Sequence, residues 1–200
     1  MNLGRKRVAI VLASGVSKRF GPGNKLTISL SGKSIIEKTV ERLEQSNIDE
    51  ITTVIGYQGQ LVRRALKNHN TIFIENPDFS KGIGTSIHAG ILSLERDVGA
   101  ALIVLGDMPF VDPETVNLLL RAHENKNEKL IFVPTHNCKR GNPVFWDKAL
   151  FPELLSLRPD HGGKKIMKEC PKFVQEINVC DDGILVDIDL HKDLKLFEGK

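Results

Sequence analysis

The stretch Ala100-Ala101-Leu102-Ile103-Val104-Leu105-Gly106-Asp107 is the most informative part of the chain. Its first six residues are apolar, and a short run without polar alternation is typical of a strand that is covered on both faces. We therefore expect residues 100–105 to form a central strand of a parallel sheet. The run continues into Gly106-Asp107-Met108-Pro109, so a carboxylate is expected at the carboxyl end of that strand.

On both sides of this run, short apolar segments alternate with amphipathic ones, which is the pattern of repeated βαβ units. Further strands are predicted at residues 8–12, 51–55, 71–74, 130–134, 144–146, 173–179 and 184–188, with some of the later ones antiparallel. Helices are predicted between Ser34 and Ser46 and at residues 60–66, 85–94 and 113–125, with Ser34 and Asp112 as N-caps. Because no repeat or linker interrupts the pattern, the expected fold class is α/β. We expect a single three-layer, Rossmann-like domain over residues 1–200 with a mostly parallel central sheet.

Composition restricts the class of protein. The chain has 200 residues, with 28 Lys plus Arg against 25 Asp plus Glu and a net charge of +3, which excludes a strongly basic nucleic-acid-binding protein. An apolar run follows Arg5-Lys6-Arg7, but it is too short for a signal peptide, and no stretch reaches the roughly 18 apolar residues of a membrane span. We therefore expect a cytoplasmic protein with no nucleic-acid or membrane partner. Cys138, Cys170 and Cys180 form no C-x-x-C pair and are expected to stay reduced.

The first predicted strand is followed by a loop of small and basic residues, 12–25. Its glycines allow backbone N–H groups to approach phosphate oxygens, and its Arg and Lys supply positive charge, so a polyphosphate is the expected ligand. The dinucleotide pattern G-x-G-x-x-G is absent, and Gly32-Lys33-Ser34 is no P-loop because Thr27 stands where the first glycine is required. The alternative is an ordinary surface loop with solvated side chains.

Acidic residues stand where later segments end. Asp107 follows the most apolar strand, and Asp187-Ile188-Asp189 places two carboxylates on one side of an extended segment. A carboxylate at the mouth of a buried strand loses hydration, and a hard cation such as Mg²⁺ carried by a nucleotide would compensate. Taken singly, each acid is more often a turn former or a helix cap, so the prediction of a nucleotide and metal site rests on their coincidence.

These residues resemble the MobA-like nucleotidyltransferases. The first loop resembles the L-A-A-G-x-S-x-R-M-G…K signature of that family. Further similar positions are Asn76-Pro77 with Gly82, Ser86 and Gly90; Gly106-Asp107-Met108-Pro109; Gly141-Asn142-Pro143; Asp160 with Gly162-Gly163; and Asp187-Ile188-Asp189 with Asp193-Leu194. The resemblance covers residues 7 to 197 and is greatest for the molybdenum cofactor cytidylyltransferase branch. It implies the nucleotide-diphospho-sugar transferase type of sheet, and transfer of CMP from CTP to the phosphate of molybdopterin-bound molybdenum with release of pyrophosphate.

The resemblance also implies roles for individual residues. Lys25, Arg19 and Asp107 are the implied catalytic residues, with Arg19 on the outer phosphates and Lys25 on the α-phosphate. Asp107 with Asp187 or Asp189 would bind Mg²⁺, or Mn²⁺ in its place, and Asn142, Asp160 and Gly162 would face the molybdopterin acceptor. The implied nucleotide-binding set is Leu12, Ala13, Ser14, Gly15, Arg19, Lys25, Gly82, Ser86 and Gly106.

Other functions remain open at this point. Ser14 stands where guanylyltransferases carry glycine, but it is also not the alanine of the cytidylyl pattern. A guanylyltransferase, or another NTP transferase of the superfamily, is therefore an alternative. A non-catalytic carrier that delivers nucleotide or matured cofactor to a client molybdoenzyme is a second alternative. The sequence departs from the family pattern at three places beside the expected acceptor or metal. Asn142 stands where the family often has His, Lys164-Lys165 stand near a usual Arg, and Leu190-His191-Lys192 replace Thr-Pro-Glu.

Overall fold

The structure is a computed structural model that describes residues 6–16, 20 and 23–189. Its main feature is an eight-stranded sheet in the order β10-β7-β9-β6-β1-β4-β5, with β8 paired to β7. The strands are β1 (Lys6–Ala13), β4 (Glu50–Ile55), β5 (Ile72–Glu75), β6 (Val98–Leu105), β7 (Ile131–His136), β8 (Lys139–Arg140), β9 (Val144–Asp147) and β10 (Val174–Asn178). Two short strands, β2 (Ser29–Leu30) and β3 (Lys33–Ser34), form a separate hairpin. The predicted α/β architecture with a mostly parallel sheet is confirmed.

Helices cover both faces of this sheet. They are α1 (Ile35–Glu44), α2 (Gly59–Ala65), α3 (Ile83–Leu92), α4 (Pro113–Glu124), α5 (Phe151–Leu155) and α6 (Lys164–Glu169). The predicted cap of α1 is present, because Ser34 accepts from the Glu37 N–H while the Glu37 carboxylate accepts from the Ser34 N–H. Asp112 likewise caps α4 through the Glu114 N–H. The short helices α5 and α6 were not predicted, since five or six residues hold too few turns for a periodic signal. No helix in the described part of the chain is long and apolar enough to cross a membrane.

The central strands are buried, as their apolar composition predicts. Seven of the eight residues of β6 are buried, with only Leu105 at its carboxyl end partly exposed. Alternate residues of β1 and β6 point into two separate apolar clusters, one on each face of the sheet. Trp146 is almost completely buried in one of them. Positions 100–105 are apolar throughout because both sides of this strand face a core.

One of the expectations for the later strands is confirmed and one is wrong. β9 is antiparallel to both β6 and β7, as expected for some of the later strands, because only seven residues separate β7 from β9 and a parallel return would need a dozen or more. Residues 184–188 are not a strand. They begin within a 3₁₀ turn, Asp182–Leu185, and continue as an extended segment that pairs with no strand of the sheet. The Asp181 side chain accepts from the Gly183 N–H and starts that turn.

A buried carboxylate, Asp147, anchors the carboxyl end of β9, which lies beside the amino-terminal part of β6, to helix α4. It accepts from His123 Nε2 at 2.8 Å, from the Ala149 N–H at 2.9 Å and from the Lys126 ammonium. Burial alone would raise the pKa of Asp147, but these hydrogen bonds lower it well below the ordinary value for an aspartate. The charged carboxylate therefore stabilises the folded state.

We expect Asp147→Asn to lower the free energy of unfolding by about 2 kcal/mol at neutral pH, since it removes hydrogen bonds to a charged acceptor. Because the folded pKa is depressed, this stabilisation is present above the unfolded pKa and is lost as the pH falls below roughly 4. Urea unfolding at several pH values measures the difference. Glu169→Gln, at an exposed ion pair with Lys165, is the control and should cost less than about 0.5 kcal/mol. A constant difference between Asp147→Asn and the unmutated protein from pH 7 down to roughly pH 3 would contradict this account.

Candidate active site

The candidate site lies at the carboxyl ends of β1 and β6, where ligands of open α/β sheets bind. Two cavities of about 420 and 270 Å³ open there and share five wall residues. The shared residues are Leu12, Gly15, Ile83, Leu105 and Asp107. The larger cavity also reaches Lys25, Asp187 and Asp189, and the smaller reaches Ser14, Gly82 and Ser86. Residues from four distant parts of the sequence therefore form one cleft, which we call the β1–β6 cleft.

At the centre of the larger cavity, Lys25 lies among carboxylates. Its Nζ is 2.6 Å from Asp107 Oδ2 and 2.8 Å from Asp189 Oδ1, and only 8% of the residue is exposed. Such short, charge-assisted contacts fix both side chains. In this arrangement the lysine neutralises the acids that the sequence predicts as metal ligands.

The three carboxylates fit a divalent cation. One oxygen from each of Asp107, Asp187 and Asp189 lies within 4.8 Å of the others. Asp107 Oδ1 is buried and accepts no hydrogen bond from the described residues, although such an oxygen ordinarily needs a partner. Oxygen ligands of this type suit Mg²⁺ or Mn²⁺. The predicted convergence of the acids is therefore present, and all three are close enough to act together.

The acids outnumber the base, and the pKa directions reflect that. Burial is the largest influence on Asp107 and raises the pKa of its carboxyl group, Asp187 adds to the rise, and Lys25 opposes it. Burial lowers the pKa of Lys25, but Asp107 and Asp189 more than offset this and raise it overall. The pKa of Asp107 is therefore raised chiefly because its carboxylate is buried, with repulsion from Asp187 adding to the effect, whereas the pKa of Lys25 is raised because two carboxylates stabilise its charged form.

Lys25 owes its position to its neighbour Asn24. The buried Asn24 accepts from the Leu26 N–H at 3.1 Å and so starts the 3₁₀ turn Lys25–Thr27. Its Nδ2 donates to the Tyr57 carbonyl at 3.1 Å, and the Tyr57 N–H donates to the Ser14 carbonyl. Asn24 therefore ties the lysine turn to the ends of β1 and β4. Sequence reasoning missed this residue, although an Asn before a turn is a capping signal.

A buried polar network forms the wall of the smaller cavity. Ser14 Oγ and Ser86 Oγ are 2.6 Å apart, and Asn76 Nδ2 donates to Ser86 Oγ at 3.0 Å and to Thr85 Oγ1 at 2.9 Å. Asn76 also accepts from the Asp78 N–H through its Oδ1. The amide thus holds the first turn of α3 against the end of β1. Asn76 is one of the positions that match the resembled family, and the structure gives it this anchoring contact.

The predicted glycines differ in their surroundings. A Cβ on Gly15 would meet nothing within 4 Å, so its backbone faces open space in the cleft. Gly106 is packed instead, since a Cβ there would lie 2.9 Å from the Leu12 carbonyl that its own N–H contacts. Gly82 has a φ of 132°, and a Cβ would lie 2.3 Å from the Pro159 carbonyl. Gly15 leaves room for a ligand, whereas Gly82 and Gly106 permit close backbone packing. Ala13 is completely buried in the core below the cleft.

The predicted acceptor residues lie in two places. Asp160 and Gly162 belong to a loop that packs on Gly82 and Gly84, beside the smaller cavity. Asn142 precedes β9, and its N–H donates to the Ile184 carbonyl at 3.0 Å, which places it near the segment that carries Asp187. Arg19, along with 190–194 and their departures from the family pattern, lies outside the described residues.

Comparisons with known proteins establish the family to which the chain belongs. A sequence model of the MobA-like NTP transferase domain matches residues 9–174, so the chain belongs to this family of nucleotidyltransferases. Among curated proteins, nicotine blue oxidoreductase of Paenarthrobacter nicotinovorans is 26% identical over 185 residues, with 90% of each chain covered. The bifunctional protein GlmU of Symbiobacterium thermophilum is 29% identical over 116 residues, which are 58% of this chain and 24% of that protein.

Solved structures share the whole fold. Rv0371c from Mycobacterium tuberculosis H37Rv superposes with a TM-score of 0.84 at 22% identity over 98% of both chains. A complex of Rv0371c with manganese has a TM-score of 0.78 at 21% identity over 96% of this chain and 98% of that one. Molybdopterin-guanine dinucleotide biosynthesis protein A from Archaeoglobus fulgidus has a TM-score of 0.68 at 23% identity over 96% of both chains. At such low identities these similarities establish the common architecture.

The charge balance makes a testable prediction about Lys25. Because its ammonium lies against two of the three carboxylates that would hold a cation, we expect Lys25→Met to bind Mn²⁺ more tightly than the unmutated protein in the absence of nucleotide, on the order of tenfold. Titration followed by electron paramagnetic resonance of free Mn²⁺ measures the affinity. Lys25→Arg, which keeps the positive charge, is the control and should stay near the unmutated value. Unchanged or weaker binding by Lys25→Met would show that the ammonium and the cation do not compete.

Proposed function

We propose that the protein transfers CMP from CTP to the phosphate of molybdopterin-bound molybdenum and releases pyrophosphate. The observation that carries the proposal is the contact of Lys25 with Asp107 and Asp189 inside the β1–β6 cleft. Membership in the MobA-like NTP transferase domain family supports the transfer reaction. The choice of cytosine and of molybdopterin rests on the sequence resemblance to the cytidylyltransferase branch.

In the proposed reaction, a phosphate oxygen of the acceptor attacks the α-phosphorus of CTP. A P–O bond forms to that oxygen while the bond to the β-phosphate bridging oxygen breaks, and pyrophosphate leaves with the electron pair. A phosphate monoester is already an anion near neutral pH, so no general base is required. The barrier comes largely from charge crowding and orientation, and the protein lowers it by positioning and electrostatics.

The residues of the cleft suit that task. Lys25 would neutralise charge at the α-phosphate, and Arg19, which lies in the same loop, is expected to contact the outer phosphates. Asp107, Asp187 and Asp189 would hold the divalent cation, which supplies further neutralisation of phosphate charge when bound. The manganese complex of Rv0371c supports a divalent cation in a protein of this fold. Asp160, Gly162 and Asn142 are expected to face the acceptor.

A second candidate within the same chemistry is transfer of GMP. The Archaeoglobus fulgidus neighbour is named for molybdopterin-guanine dinucleotide biosynthesis. In this chain the Ser14 hydroxyl, hydrogen-bonded to Ser86 at 2.6 Å, occupies the position where guanylyltransferases carry glycine. The additional side chain narrows the smaller cavity and favours a pyrimidine over the larger purine.

A nucleotide panel decides between these candidates. The full chain is incubated with Mg²⁺, molybdenum-loaded molybdopterin and each of CTP, GTP, ATP and UTP, and pyrophosphate is measured. We expect CTP to exceed GTP by at least about tenfold in kcat/KM, because one methylene group in a fitted pocket already discriminates by about tenfold or more and a purine is larger by a whole ring. Preference for GTP would establish the guanylyltransferase, and nucleotide binding without pyrophosphate would indicate a carrier.

Similarity to nicotine blue oxidoreductase over 90% of both chains favours one candidate from another class, oxidoreduction. The carboxylates and lysine of the cleft offer no redox chemistry, and the sequence has no G-x-G-x-x-G pattern. Absorbance at the nicotinamide band, with NADH or NADPH and a dye acceptor, tests it. Oxidation of NADH or NADPH that continues at the same rate in the Asp107→Ala variant would favour the oxidoreductase.

The site assignment is tested by mutation. Lys25→Ala and Asp107→Ala should each lower kcat/KM for nucleotidyl transfer on the order of a hundredfold to a thousandfold, because each removes a preorganised charge. Circular dichroism checks that the variants remain folded. Glu128→Gln, an exposed carboxylate outside the cleft, is the control and should leave the rate unchanged. Near-normal turnover by either cleft variant would overturn the assignment.

A further inference from the structure

The acidic cluster is built from two parts of the chain that are some eighty residues apart in sequence. Asp107 follows β6 and is held by the sheet, but Asp187 and Asp189 lie on a segment that pairs with no described strand. A cation site requires its ligands to be held at fixed distances. Something other than the sheet must therefore fix that segment, residues 181–189, against the loop that follows β6.

Asp181 makes the contacts that do this. Its Oδ2 accepts from the Asp112 N–H at 2.9 Å and from the Thr115 hydroxyl at 2.8 Å, and its Oδ1 accepts from the Gly183 N–H at 2.9 Å. Asp112 is the N-cap of α4, and Thr115 is buried in the first turn of that helix. One carboxylate thus joins the start of the 181–189 segment to the end of the loop that begins at Asp107.

The rest of the segment is closely fitted to the same loop. A Cβ on Gly183 would lie 2.2 Å from the Phe110 carbonyl, so the two backbones are in direct contact. Farther along, the Ile188 N–H donates to the Asp107 carbonyl at 3.1 Å, and the Ile188 side chain is completely buried. Between these two points lies Asp187, so a shift at the Asp181 end would displace a predicted ligand.

We propose that Asp181 is a positioning residue of the cation site: by holding residues 182–189 against the loop after β6, it brings Asp187 and Asp189 to Asp107. The inference rests on the proposed function only in taking these three carboxylates as the ligands of a divalent cation. Asp181 itself contacts neither the ligands nor the substrate cleft, and it acts through the backbone.

The substitution Asp181→Asn changes the hydrogen bonds of this side chain while leaving its size nearly unchanged. Asparagine has nearly the same shape, but one of its two terminal atoms is an NH₂ group, which only donates. Both oxygens of Asp181 accept from donors. Whichever way the amide turns, it sets a donor against a donor, either at the Gly183 N–H or at the Asp112 N–H, so the anchor is weakened without a change in volume.

We expect Asp181→Asn to weaken Mn²⁺ binding on the order of tenfold, since loss of a residue that orients ligands has effects of this size. The Mg²⁺ concentration for half-maximal transfer should rise by a similar factor, while kcat at saturating Mg²⁺ recovers. Asp182→Asn is the matched control, because it removes the same charge from an exposed neighbour and should leave Mn²⁺ affinity within about twofold.

A second pair of variants keeps the test valid if Asp181→Asn folds poorly. Thr115→Val removes one of the three donors and should weaken Mn²⁺ binding a few-fold, whereas Thr115→Ser retains the hydroxyl and should restore it.

Equal Mn²⁺ affinity of Asp181→Asn and the unmutated protein would overturn the inference. It would also fail if Asp182→Asn lost as much affinity, or if Asp181→Asn lowered kcat at all Mg²⁺ concentrations alike. An unmutated protein that binds no Mn²⁺ would overturn the cation site itself, and this inference with it.

Discussion

The contact of the Lys25 ammonium with Asp107 and Asp189 is the interaction on which the rest of the site depends. Three carboxylates gathered at the mouth of a buried strand repel one another and lose hydration, so a cation is needed for them to stay charged there. Lys25 supplies one positive charge and leaves an excess of negative charge. The Asn24 cap, the end of β6 and the anchored 181–189 segment all serve to keep these four groups together.

Under the proposed function, that excess lets one cleft hold both a cation and a nucleotide. Lys25 can leave Asp107 and Asp189 without an energetic penalty only when it finds another anion, and a phosphate of the nucleotide is such an anion. The carboxylates are then available for the divalent ion. The proposed function thus makes the two exchanges depend on each other, so that affinity for the metal and affinity for the nucleotide would be coupled equally in both directions.

Much of the fold follows from local patterns in the sequence. The apolar run of β6 correctly predicts a central, doubly covered strand, and the Ser34 and Asp112 caps correctly predict where α1 and α4 begin. An antiparallel direction was expected for some of the later strands, but local patterns do not say which ones, and residues 184–188 were wrongly predicted to form a strand. Both depend on how far the chain can travel between elements. Apolar alternation at Ile184, Val186 and Ile188 is typical of a strand, but here it belongs to an irregular segment on which Ile184 and Ile188 are buried and Val186 is half-buried.

Parts of the site were also predictable from local patterns. Asp107 stands at a strand end, and the spacing of Asp187 and Asp189 places both carboxylates on one side of an extended segment. The structure brings the three acids together. Lys25 was expected to contact phosphate, and its pairing with the acids depends on contacts across 82 and 164 residues that no local pattern encodes. Asn24 and Asp181 were missed because each acts mainly through hydrogen bonds to the backbone. A short polar residue in a loop carries the same sequence signal whether it caps an ordinary turn or holds a ligand in place, and only the identity of its hydrogen-bond partners separates the two.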